Sequence, residues 1–147
     1  MSLKERLMAD LKTAMKNKDK LHKDVITMVR AAIKQKEVDE RIELGDPEII
    51  DIIAKQVKEK RSSIEEFKKG NRQDLVDQTE QEIEILLNYL PKQLSEDELR
   101  DIIQETIDEN GITSMKDIGK LMKNVMPKVK GKADGNMVNK IAREILN

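Results

Sequence analysis

LLNYLPKQLSEDEL, residues 86–99, divides the chain into two helical parts. Pro91 has no amide hydrogen with which to continue a helix, and its ring biases Leu90 away from helical dihedrals. Four residues later Ser95 and Glu98 form a capping box, in which the serine hydroxyl takes one orphan amide and the glutamate reaches back to another. One helix therefore stops before Pro91 and a new one starts at Ser95. The expected units are residues 1–93 and 94–147.

Toward the N-terminus the apolar residues recur at helical spacing four times over. Ser2 with Glu5 opens a first helix that carries Leu3, Leu7, Leu11, Ala14 and Met15 to about Asn17. A second runs from Lys20 to Glu43 on Leu21, Val25, Met28, Val29, Ala32 and Ile33. Asp46 as N-cap and Pro47 at the first helical position start a third, on Ile49, Ile50, Ile53, Val57, Ile64 and Phe67, which stops at Gly70-Asn71. The fourth spans Gln73 to Leu90. Toward the C-terminus three shorter helices follow. The first, on Leu99, Ile102, Ile103 and Ile107, closes at Asn110-Gly111; the second, on Met115, Ile118, Leu121, Met122 and Val125, starts after Thr113-Ser114; Asp134 caps the third. The fold class expected is all-α, with a longer-helix N-terminal domain and a small three-helix C-terminal bundle.

Composition agrees with helices that expose one face, since 39% of the 147 residues are charged and 37% hydrophobic. A net charge of −1 leaves any affinity for polyanions to the distribution of charge and not to its total. That distribution is uneven. Glu96 to Glu109 holds seven acids against Arg100, whereas Lys116 to Arg143 holds eight bases against Asp117 and Asp134. Four of those bases crowd around the turn before the last helix. A Gly-punctuated basic turn at a helix start suits phosphate, although the same lysines would also serve as a solvated linker.

Catalytic constellations are thin. Cysteine is absent, which removes disulfides, thiolate nucleophiles and Cys-ligated metal sites together. His22 stands alone among Lys20, Lys23 and Asp24, without a nucleophile to serve. Ser62-Ser63 lies in mid-helix between Lys60-Arg61 and Glu65-Glu66, with no Gly-rich turn to present a hydroxyl. Glu80, Glu82 and Glu84 read as a solvated face. The segment from Gly131 to Gly135 lacks the spacing of a nucleotide-binding loop. No catalytic, cofactor or metal site is expected. With Phe67 and Tyr89 as the only aromatic residues, any RNA bound is expected to be a folded one, recognised by shape and backbone and not by base stacking. No run of apolar residues reaches membrane-spanning length, the start reads as a charged helix and not a signal peptide, and the expected location is cytoplasmic.

The segments EEFKKGNRQDLVDQTEQEIEILLNYLPKQLSEDEL and IGKLMKNVMPKVKGKADGNMVNKIAREIL resemble the YqeY family over nearly the whole chain. The last of these, from KVKGKADG onward, is also similar to the tail domain of the GatB subunit of tRNA-dependent amidotransferase. That likeness implies contact with tRNA, placed on Lys128, Lys130, Gly131, Lys132 and Gly135, and it does not carry over the catalytic cradle or the amidase of that enzyme. The expected function is non-catalytic binding of tRNA or another structured RNA, in an accessory role related to tRNA-dependent amidation. A helical protein–protein interaction module is the alternative from a different class. Activity as a carbon–nitrogen ligase with glutamine as amido-N-donor rests on the family link alone.

Overall fold

In the computed structural model, which describes every residue from Met1 to Asn147, seven α-helices and one short 3-10 turn follow one another without a strand. They are α1 (Leu3–Lys16), α2 (Lys20–Glu40), α3 (Asp46–Lys69), α4 (Gln73–Leu87), α5 (Glu96–Asn110), a 3-10 turn at Met115–Asp117, α6 (Ile118–Val129) and α7 (Gly135–Leu146). The all-α expectation is met. No helix is long and apolar enough to cross a membrane. The chain separates into two compact units, Met1–Leu90 and Pro91–Asn147.

In the first unit α1 with α2 and α3 with α4 form helical hairpins, and α2 packs on both α3 and α4. Their shared core holds Leu7, Val25, Ile26, Val29, Ile49, Ile53, Val76 and Leu86. Side chains so deeply buried each contribute about 1.5–3 kcal/mol relative to exposure, the main term opposing chain entropy. Ile26, not among the residues expected on the α2 stripe, is fully buried beside it, three residues before Val29 and seven before Ile33. Met15 and Met28, both placed on those stripes, stay 57% and 56% exposed.

Helix ends explain where the bounds depart from expectation. α2 stops at Glu40 and not at Glu43, because Arg41 turns to a left-handed φ of 54° and the amide of Ile42 closes on the carbonyl of Glu37. The same closure, an amide five residues beyond its acceptor, recurs at Lys18, Asn71 and Gly111, whose φ values are 56°, 56° and 62°. Glycine serves only the last of the four. At the start of α3 the N-cap is Gly45, whose amide donates to Glu48; Asp46 is released to accept the amide of Leu3 at 3.0 Å and so ties α1 to α3.

In the second unit α5, α6 and α7 pack pairwise around Leu99, Ile103, Leu121, Val125, Val138 and Ile141. Ser95 forms the expected capping box with Glu98, and the bonds it receives from the Ser95 amide and hydroxyl hold the Glu98 carboxyl below its ordinary range. α6 runs two residues past Pro127, which supplies no amide to the carbonyl one turn before it.

Candidate nucleic-acid interface

The turn from α6 to α7 is built to hold its shape. Lys130 leaves the helix with ψ near 121°, and Gly131 takes a φ of 73° that suits a residue without Cβ. Two bonds from the strap before α5 then anchor the turn: Gln93 donates its side-chain amide to the carbonyl of Gly131 at 2.7 Å, and the Leu94 amide donates to the carbonyl of Lys132 at 2.9 Å. At the start of α7 the carboxylate of Asp134 accepts the amide of Asn136 at 2.8 Å. A carboxylate already seated on this helix start opposes a second anion there, so phosphate binding at the α7 N-terminus is disfavoured. Gly135 opens α7 beside Met126, where an added Cβ would meet the thioether methyl at 3.7 Å, an ordinary contact.

The expected site residues divide by direction. Lys128 lies on the last turn of α6, and its ammonium sits 3.0 Å from both Glu109 and the Thr106 hydroxyl of α5. It serves the bundle as an α5–α6 tie. Lys130 and Lys132 lie at and beyond the end of α6, the first exposed and the second half-buried.

Lys116, Lys123 and Lys130 are exposed at seven-residue spacing, the first in the 3-10 turn before α6, the second within α6 and the third at its C-cap. Lys123 lies roughly 140° around the helix from Lys128, at 100° per residue. On α7 the exposed Lys140 and Arg143 occupy the side opposite the buried Val138, Ile141 and Ala142. The exposed acids Asp97, Asp101, Glu105 and Asp108 instead belong to α5. Acids and bases balance over residues 91–147, yet the fold separates them onto different helices. The seven-residue spacing of lysines was the signal in the sequence that could have drawn Lys123 into the candidate site.

Other polar groups gather in the first unit. Tyr89 is buried, donates its hydroxyl to Asp10 and lies under the Arg6 guanidinium at 4.6 Å, while Arg6 also donates to the carbonyl of Asn88 at 2.8 Å. Burial, and then the bond to Asp10, hold the Tyr89 phenol well above its ordinary range. These groups line a cleft of about 390 Å³ together with His22, whose Nδ1 lies 2.7 Å from the Asp19 carboxylate that caps α2. Ser63 donates to the carbonyl of Glu59 one turn earlier in α3. No base therefore stands beside the Ser63 hydroxyl, as activation of a serine nucleophile requires.

Relatives of the chain are named Altered inheritance of mitochondria protein 41, mitochondrial. The one from Lachancea thermotolerans is 45% identical over 85 residues, which is 57% of this chain and 46% of that protein. The one from Kluyveromyces lactis is 43% identical over 84 residues, 56% of this chain and 45% of that protein. In both cases the match spans about half the length of the relative. The protein from Pyrenophora tritici-repentis is 31% identical over 147 residues, covering 96% of this chain and 79% of its own. All three are named as mitochondrial, and this corrects the expected cytoplasmic location. The features behind that expectation, a start that reads as a charged helix and no membrane-length apolar run, describe the folded helices and carry no address. The family description Yqey-like protein matches residues 4–146, and with a relative of this identity aligned over almost the whole chain, the protein belongs to the YqeY family.

Proposed function

We propose that this protein is a non-catalytic binder of structured RNA, tRNA foremost, and that α6 and α7 supply the contact. The observation that carries the reading is the separation of charge within residues 91–147: Lys123 on α6, Lys130 just past its end, and Lys140 and Arg143 on α7 are exposed, whereas the acids of this unit are concentrated on α5. A unit with no net charge can hold a polyanion in this way, since the local field and not the total decides attraction. Lys132 and the rigid Gly131 turn add a base at the end of that surface. An accessory role in tRNA-dependent amidation rests on the likeness of this segment to the GatB tail.

The test is anisotropy with one folded tRNA transcript over a salt series from about 0.05 to 0.2 M, comparing the parent with the triple variant Lys123→Gln, Lys130→Gln, Lys140→Gln. If each lysine neutralises one phosphate, the slope of log affinity against log salt falls by about two to three units, at ~0.7 to 0.9 per contact. Lys55, Lys58 and Lys68 of α3, all exposed, give a matched control when changed to Gln together. Equal losses in both variants, or no binding by the parent, would reject the proposal.

A further inference from the structure

The α1–α2 hairpin turns a face to solvent that its own core does not use. α1 brings Lys4, Met8 and Met15 to the side it shares with α2, at spacings of four and seven residues, and the two methionines remain 37% and 57% exposed. From α2 come Lys23, Thr27, Arg30 and Lys34, spaced four, three and four residues apart and so also on one side. Between the helices a groove of about 610 Å³ is lined by the buried Leu7, the more exposed Met8 and Ala31, and the cations Lys4, Arg30 and Lys34. Nearer the α1–α2 turn a second depression of about 300 Å³ places Ala14 and Met15 among Lys18, Lys20 and Lys23. Helical periodicity sets the two depressions along the same face. From Lys4 to Met15 it extends roughly 17 Å at 1.5 Å per residue, about three helical turns.

The acids on this face are committed. Glu37 holds the Lys4 ammonium and the amide of Leu44, the latter at 2.8 Å. Asp19 caps α2 and pairs with His22. Lys20, Lys23, Arg30 and Lys34 make no salt bridge, so the face presents uncompensated positive charge beside its apolar groups.

We infer that this groove docks an acidic amphipathic helix of a partner protein. Methionines adapt to an apolar ridge, and carboxylates flanking that ridge meet the lysines and arginine of the groove. A phosphate backbone would use the cations and leave the methionines uncovered. A lipid surface needs apolar groups that project past the charges, whereas here Leu7 is 1% exposed at the bottom of a concave face. The inference concerns α1 and α2 and stands apart from the RNA contact proposed for α6 and α7.

The probe is a fluorescein-labelled synthetic helix of about 16 residues, roughly 24 Å long, with leucine along one side and glutamate elsewhere. A scrambled peptide of identical composition is the control. Saturable anisotropy with the full chain is expected, together with binding at least tenfold weaker for the scrambled peptide. The double variant Arg30→Glu, Lys34→Glu should weaken the helix by about tenfold or more. Met8→Glu with Met15→Glu should do the same while helix content is retained. Lys55→Glu with Lys58→Glu, away from the groove, should change little. Equal binding of helix and scramble, or equal loss in the α3 control, would reduce the effect to general charge attraction and overturn the inference. It also fails if the helix does not bind. Finally, it fails if Arg30→Glu, Lys34→Glu abolishes binding to tRNA or to vesicles of about 30% anionic lipid and leaves the peptide unaffected.

Discussion

Lys128 and Lys123 lie five residues apart on α6, and the structure gives them opposite work. Lys128→Gln removes an ammonium 3.0 Å from Glu109 and 3.0 Å from the Thr106 hydroxyl. The pair is 38% and 53% exposed, so the loss of stability is limited to about 1 kcal/mol or less after solvent screening. Thr106 keeps its own bond to the carbonyl of Ile102 at 2.8 Å and is not orphaned. Lys123→Gln removes an exposed side chain that ties no other helix and should leave stability within about 0.5 kcal/mol of the parent. For tRNA the order reverses. Lys123→Gln should lower the salt slope by about 0.7 to 0.9, which between a 1 M reference and 0.15 M salt corresponds to about four- to fivefold in affinity. Lys128→Gln should leave the slope unchanged. Urea denaturation and tRNA anisotropy on the same preparations give both readouts, and Glu109→Gln completes a double-mutant cycle with Lys128→Gln whose coupling should account for most of the lost stability. A full contact's loss of slope on Lys128→Gln would refute the reasoning, because Lys128 would then leave α5 to reach phosphate.

Arg41→Gly relieves a left-handed residue that lacks the freedom of glycine, and should stabilise the protein by about 0.5–1 kcal/mol after the added freedom of the unfolded chain is subtracted; thermal melting checks it, and a lower melting temperature would contradict the geometry. Tyr89→Phe keeps the ring under Arg6 and removes the bond to Asp10, at a cost of about 1–2 kcal/mol, and in a background of Asp10→Asn the same change should cost much less; additive losses would show that the two groups do not act together. Glu37 is held below its ordinary carboxyl range, first by Lys4 and then by the Leu44 amide, so its contribution is present above the unfolded value of 4.5 and is lost as pH falls through the lower folded value. Glu37→Gln should therefore destabilise the protein near pH 7, with the difference from the parent disappearing once the pH has fallen below the lowered folded value and both states of the parent carry a protonated carboxyl; a gap that persists undiminished in acid would assign the effect to packing.

The helices themselves were legible because each is written by local chemistry: Pro91 and the Ser95 box at the division, Pro47 at the start of α3, Gly111 at the end of α5. The ends that shifted depend on tertiary closure. Nothing in the local sequence marks Arg41 as a left-handed residue, since the turn is stabilised where Glu37 can hold both Lys4 and Leu44 across the α1–α2 hairpin. Burial was harder to read for the same reason. Periodicity finds the apolar side of a helix but not how far the neighbouring helix covers it, and so Met15 stays at the margin of the α1–α2 face and Met28 stays exposed although both lie on expected stripes. The basic turn shows this limit at the level of function. Lys128, Lys130 and Lys132 are equivalent in a count of charge, but the helix directs the first toward the acidic α5, while Lys123, five residues earlier and about 140° around α6, is exposed on another side. A charge run therefore identifies a region able to meet a polyanion, and the rotation of each residue about its helix decides whether its charge is spent inside the bundle or presented outside it.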